Sequence, residues 1–148
     1  MGHMLYTLIR TLHFVAIFVL AGALVIENMA LKPTITGEDA RNLARVDAFY
    51  GIGAVLTLLF GLILWLWVGK PSEFYSLNPI FHFKLGLFFL LALLSIYPTI
   101  FFLRNRKSTA DTIKVPRLIA ILTKLELGIL FIIPLLAFLM ARGIGLST

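Results

Sequence analysis

Four apolar stretches, each about as long as a bilayer is thick, dominate the chain and leave it few ways to fold. They run from about Leu5 to Ile26, Val46 to Val68, Ile80 to Leu103 and Leu118 to Ala141. A helix needs roughly 20 apolar residues to cross a hydrocarbon slab about 30 Å thick. Inside that slab every backbone amide must find its partner within the chain, which helices provide and open strands do not. The pattern predicts an all-α membrane domain over residues 5–145, with four transmembrane helices in an up-down bundle. Short connections favour antiparallel neighbours. With 60% hydrophobic and only 14% charged residues, no polar stretch is left for a second, water-soluble unit. The opening Met1-Gly2-His3-Met4 reads as an expression scar before a native start at Met4.

Charge placement orients the bundle. Lys32, Arg41, Arg45, Arg104, Arg106, Lys107, Lys114 and Arg117 fall in the first and third connections, on one side. Lys70 and Arg142 fall on the other, while Arg10, Lys84 and Lys124 lie within spans. Positive residues are retained in the cytoplasm, so this bias predicts N-out and C-out termini in the cell's inner (plasma) membrane, with loops one and three cytoplasmic. Trp65 and Trp67 then sit at the outer end of span two, where an aromatic belt is expected. The net charge of +6 is a topology signal, because loops this short build no basic face for nucleic acid. The expected partner is the lipid bilayer. The absence of cysteine excludes disulfides, thiolate metal sites and cysteine nucleophiles. No Gly-rich phosphate loop, HExxH motif or nucleophile elbow appears.

Ionisable groups inside spans are expensive and therefore point to function. Arg10 lies roughly 7 Å, His13 roughly 12 Å and Lys84 roughly 6 Å below the outer boundary, at about 1.5 Å per residue. These three form an outer, basic layer. Glu27, Asp47, Tyr50, Tyr97 and Glu126 form an inner layer toward the cytoplasm. In span two, Asp47, Tyr50, Ala54, Thr57 and Gly61 recur at three- and four-residue spacing, a small and polar stripe suited to face other helices. Arg10 and His13 are about 60° apart around a regular helix, and His82 and Lys84 about 200°, so the latter two do not both face inward.

Each group also has a structural role open to it. The stems of Arg10 and Lys84 are long enough to snorkel to water. His13 is either a ligand or proton carrier, or a buried imidazole bonded to a neighbouring helix. His82 reads as an interface residue. Asp47 stands near the start of span two, where a carboxylate complements a helix N-terminus, and Glu27 reads as interfacial. Glu126 lies roughly 12 Å inside span four, where protonation or hydrogen bonds from Tyr50 or Tyr97 would relieve its desolvation. It is a proton relay or a helix clamp. Pro98 and Pro134 are expected to kink their helices.

Two segments carry a resemblance. Arg10-Thr11-Leu12-His13, followed by Ala21-Gly22, resembles the first helix of the HemJ-type protoporphyrinogen oxidases, and His82-Phe83-Lys84-Leu85 resembles their third. Those are four-helix membrane proteins that bind haem b. The resemblance implies His13 as the axial haem ligand, Lys84 as the essential basic residue, and Arg10 and Lys84 as contacts for propionates. The chain departs from that family near the end of span one, where Glu27 and Asn28 stand in place of a Pro-Arg pair. It also lacks the aromatic residue that family has midway through the span. Over nearly its whole length the chain more closely resembles an uncharacterised family of small bacterial membrane proteins. The marks of that family are Arg45-Val46-Asp47-Ala48-Phe49-Tyr50-Gly51 and Met140-Ala141-Arg142-Gly143-Ile144-Gly145.

Three functions therefore stand open. One is a haem- or porphyrin-binding membrane oxidoreductase with His13 as ligand and Arg10 and Lys84 beside it. The second is a small proton-coupled transporter using Asp47 and Glu126, assembled as a homo-oligomer because four spans are few for a transporter acting alone. The third is a non-catalytic membrane partner subunit in which these groups only lock helices together.

Overall fold

The computed structural model describes residues 2–68 and 79–142. It contains helices α1 (Gly2–Ala30), α2 (Gly37–Ile63), α3 (Pro79–Asn105) and α4 (Arg117–Ala141). α2 runs on into a π-helical turn, Leu64–Val68. All four helices are long and apolar enough to cross a membrane, so the all-α, four-span expectation is met. Loop two with Gly69, Lys70, Pro71 and Ser72, the closing Gly143-Ile144-Gly145 segment, and Met1 lie outside the described residues, as does the side chain of Trp67.

Each helix packs on its neighbours in chain order, and α4 returns to α1. The α1–α2 and α3–α4 pairs share the most extensive contacts. Each helix also turns large apolar side chains outward: Phe18 is 73% exposed, Val55 66%, Leu93 64% and Phe131 70%. Apolar surface on this scale is suited to hydrocarbon rather than to water.

α2 begins well before the apolar run that starts at Val46. Its N-terminus is fixed by a capping box: Thr36 Oγ1 accepts from the Asp39 amide at 3.0 Å, and the Thr36 amide donates to Asp39 Oδ2 at 3.0 Å. Such a cap contributes about 1 kcal/mol. The added turns are polar outside, but they bury Ala40 and Leu43 against Ile35 and Phe102. The carboxylate at the helix N-terminus is thus Asp39. Asp47 lies nearly three turns in, which corrects its reading as an N-terminal charge.

Loops one and three are tied together by a two-stranded ladder, β1 (Thr34–Ile35) antiparallel to β2 (Ile113–Lys114). The Val115 amide extends it to the Pro33 carbonyl at 2.9 Å. Gly37 joins the same corner, its amide donating to the Ala110 carbonyl at 3.0 Å. A Cβ at Gly37 would collide with the Ser108 carbonyl oxygen. Pro98 and Pro134 lie inside α3 and α4, which continue through them.

Three layers follow one another along the bundle. Under the β ladder sits an apolar plug of Ile35, Ala40, Leu43 and Phe102. Further in lies the main core, Leu20, Ala23, Leu24 and Leu91 with the Tyr50 ring. Between them the helices place Glu27, Asp47 and Thr99. The order Leu43, Asp47, Tyr50 along α2 matches Leu91, Thr99, Phe102 run backwards along α3. A polar layer is thereby enclosed by two apolar ones.

Candidate functional site

All four helices supply the polar layer. Glu27 comes from α1, Asp47 and Tyr50 from α2, Thr99 from α3, and Thr123 and Glu126 from α4. Glu27, Thr123 and Glu126 are each 1% exposed, and Asp47 is also buried. Thr99 Oγ1 donates to Asp47 Oδ2 at 2.6 Å, and Tyr50 Oη donates to Glu126 Oε1 at 3.1 Å. Glu27 lies within electrostatic range of both Asp47 and Glu126. Asn28 closes the layer at the α1–α4 seam, where Nδ2 donates to the carbonyls of Leu24 at 2.9 Å and Thr123 at 3.2 Å.

Two atoms of this layer lack partners. Glu27 Oε1 and Glu126 Oε2 are buried and make no hydrogen bond. An unsatisfied buried oxygen costs about 1–3 kcal/mol, and protonation of the carboxyl or a bound donor would relieve that cost. The layer is well suited to accept a proton or a donor group.

A second polar site lies further along α1. The His13 imidazole packs over Gly61 of α2, its Cε1 3.1 Å from where a Cβ would stand. A Cβ at Gly61 would press on the ring, which would have to shift by a few tenths of an ångström. The ring lies beside the Thr57 backbone and is electrostatically coupled to Lys84 of α3. His13 Nδ1 and Thr57 Oγ1 are buried without hydrogen-bond partners.

The structure therefore brings Asp47, Tyr50 and Glu126 into one layer and His13 and Lys84 into another. Arg10 belongs to neither. It is exposed, its guanidinium 5.6 Å from the centre of the Phe14 ring on the outer face of α1. His82 is exposed while Lys84 is partly buried, in keeping with their opposed directions. Tyr97 is 40% exposed; of the two tyrosines considered for Glu126, Tyr50 makes the bond. Glu27 faces inward: it lies on the buried stripe Ala16, Leu20, Ala23, Leu24, at helical spacing. That spacing was the signal for its inward face. Thr99 and Thr123 were also not anticipated, because a lone threonine in an apolar run is compatible with either face.

The sequence matches the family of predicted membrane proteins DUF2214 over residues 6–145. The chain belongs to that family and is an integral, multi-pass membrane protein. No curated protein and no solved structure matches it.

Proposed function

We propose that this protein transfers protons through the Glu27–Asp47–Glu126 layer and couples that transfer to movement of a solute across the membrane. The observation that carries this reading is the meeting of three carboxyl groups from three different helices inside a membrane-spanning bundle. Three full negative charges in that layer would be prohibitively costly, so protons must neutralise part of it. The neighbouring carboxyls of Glu27 and Asp47 are a place to hold one. Two copies or more would assemble around the pathway. In proteoliposomes with an imposed pH gradient, the protein should dissipate the gradient, and Asp47→Asn or Glu126→Gln should reduce the rate at least ~10-fold, a barrier increase of about 1.4 kcal/mol or more. Unchanged flux in both variants would refute the reading.

The proposed orientation places loops one and three in the cytoplasm, on the bias of their Lys and Arg residues. The cysteine-free chain makes this simple to check. A single Ser108→Cys variant should be blocked by a membrane-impermeant maleimide in inverted vesicles and spared in intact cells.

A second reading assigns haem b or a porphyrin to His13, with Lys84 and Arg10 near its propionates. It is supported by the buried, unpartnered Nδ1 of a half-buried imidazole within electrostatic range of a lysine of another helix. A neutral imidazole has one nitrogen free to ligate iron, and bound haem would supply redox chemistry. The cleft formed between α2 and α3 does not include His13 in its lining, so the group would have to enter elsewhere. Protein purified in mild detergent after haem-precursor feeding should show a Soret band that His13→Ala abolishes. Absence of the band even after haemin addition would remove this reading.

A further inference from the structure

α2 and α3 part to form a cleft of about 410 Å³ that reaches the polar layer from the side. Asp47 and Tyr50 stand on its α2 wall, facing Phe88, Ser95 and Thr99 of α3. The room comes from small residues, with Gly51 and Ala54 on one wall and Ala92 on the other. Most of the remaining surface is aliphatic. The cleft is partly open, between two helices whose outer faces are apolar.

We propose that this cleft binds an amphipathic organic monocation, such as a lipophilic amine or quaternary ammonium ion, with Asp47 as its counter-charge. This rests on the proton-transfer reading and names its substrate class. The volume falls within the range of small-molecule sites, about 300–1,000 Å³, and an apolar cleft with few polar groups is the usual form of such sites. Asp47 is the one acidic group on the wall, and Thr99 occupies only part of its accepting capacity. Phe88 adds an aromatic ring to the lining, a group that attracts cations. An inorganic cation fits less well: the described residues contain no group of three or more His, Cys, Asp or Glu able to hold a metal. An anion would meet the carboxyl layer.

Binding and protonation then exclude one another by charge balance. When a monocation settles beside Asp47, a proton carried by the carboxyl layer leaves, and the net charge of the layer is unchanged. Return of a proton releases the cation. One positive charge enters for each that departs.

The test is equilibrium dialysis of radiolabelled tetraphenylphosphonium and tetraethylammonium against the purified full chain in detergent, with proton release followed in weak buffer. At least one cation should bind saturably, with about one proton released per cation bound. Asp47→Asn should weaken binding at least ~10-fold, as should Ala92→Phe, which fills the cleft from an exposed position of α3. The Ala92→Phe arm keeps the test decisive if Asp47→Asn fails to fold. Triphenylmethanol, a neutral analogue, should bind far more weakly. No saturable binding of either cation, equal affinity in a folded variant, or equal binding of the neutral compound would overturn the assignment. Proton flux in vesicles without cation binding would defeat the cleft and leave the proton reading standing. Binding without proton release would keep the cleft as a cation site and overturn the exchange of cation for proton.

Discussion

Gly53→Ala should destabilise the protein, whereas Gly51→Ala, two residues away on the same helix, should stabilise it. A Cβ at Gly53 would stand 2.8 Å from the Leu20 amide nitrogen and 3.1 Å from the Ala16 carbonyl oxygen. Both are backbone atoms of α1 and have no rotamer by which to yield. Accommodation requires α1 and α2 to separate, and such overpacking costs about 1–3 kcal/mol. The gain in helix propensity on replacing Gly by Ala is about 1 kcal/mol, so the clash wins at Gly53. At Gly51 nothing lies within 4 Å of the added carbon, and only the propensity gain remains. Thermal denaturation in one detergent should thus move in opposite directions for the two variants. Gly53→Val should leave little folded protein. If Gly53→Ala melted at or above the parent temperature, the close approach of α1 to α2 would be wrong.

The close approach was only partly legible in the sequence. The stripe Asp47, Tyr50, Ala54, Thr57, Gly61 identifies the side of α2 turned to other helices, and Asp47, Tyr50, Thr57 and Gly61 all take part in interhelical packing or burial. Gly53 lies between members of that stripe and is not marked by it, because what it touches is the α1 backbone. The four spans were evident because hydrocarbon thickness fixes their length. The polar turns of α2 from Gly37 to Arg45 read as a short polar helix start after the turn residues of loop one, but their continuity with the span was not marked, since an apolar count ends where the charges begin. Those turns are held by the Thr36–Asp39 cap and by burial of Ala40 and Leu43. Depth sorted the ionisable groups into two layers, but depth is silent about direction around a helix. Arg10 and His13 share a level yet face apart, one to Phe14 and the surface, the other to Gly61. For Glu27 two sequence signals point different ways. Its place three residues from the end of α1 suggested water, while its position on the Leu20–Leu24 stripe turns it inward.

Tyr50 and Glu126 offer the sharpest separation between a helix clamp and a proton relay. Tyr50→Phe removes the hydroxyl that donates to Glu126 Oε1, and Glu126 Oε2 already has no partner. Both oxygens of a side chain 1% exposed would then be unsatisfied, and the loss should be about 1–3 kcal/mol. Glu126→Leu alone strands the Tyr50 hydroxyl in the core and should also destabilise. The double variant Tyr50→Phe/Glu126→Leu leaves neither group orphaned. Replacing a buried polar pair by apolar residues of similar volume is often neutral or stabilising, so the double variant should melt near or above the parent. The interaction energy across the cycle should therefore be large, and the single effects should not add. Proton flux should follow a different pattern. If the layer only clamps helices, activity should return with stability in the double variant. If Glu126 carries the proton, the double variant should be stable and inactive, because no apolar side chain at position 126 holds a proton. Stability restored without flux is the expected result, and it would assign the unpartnered oxygen of Glu126 to function rather than to packing.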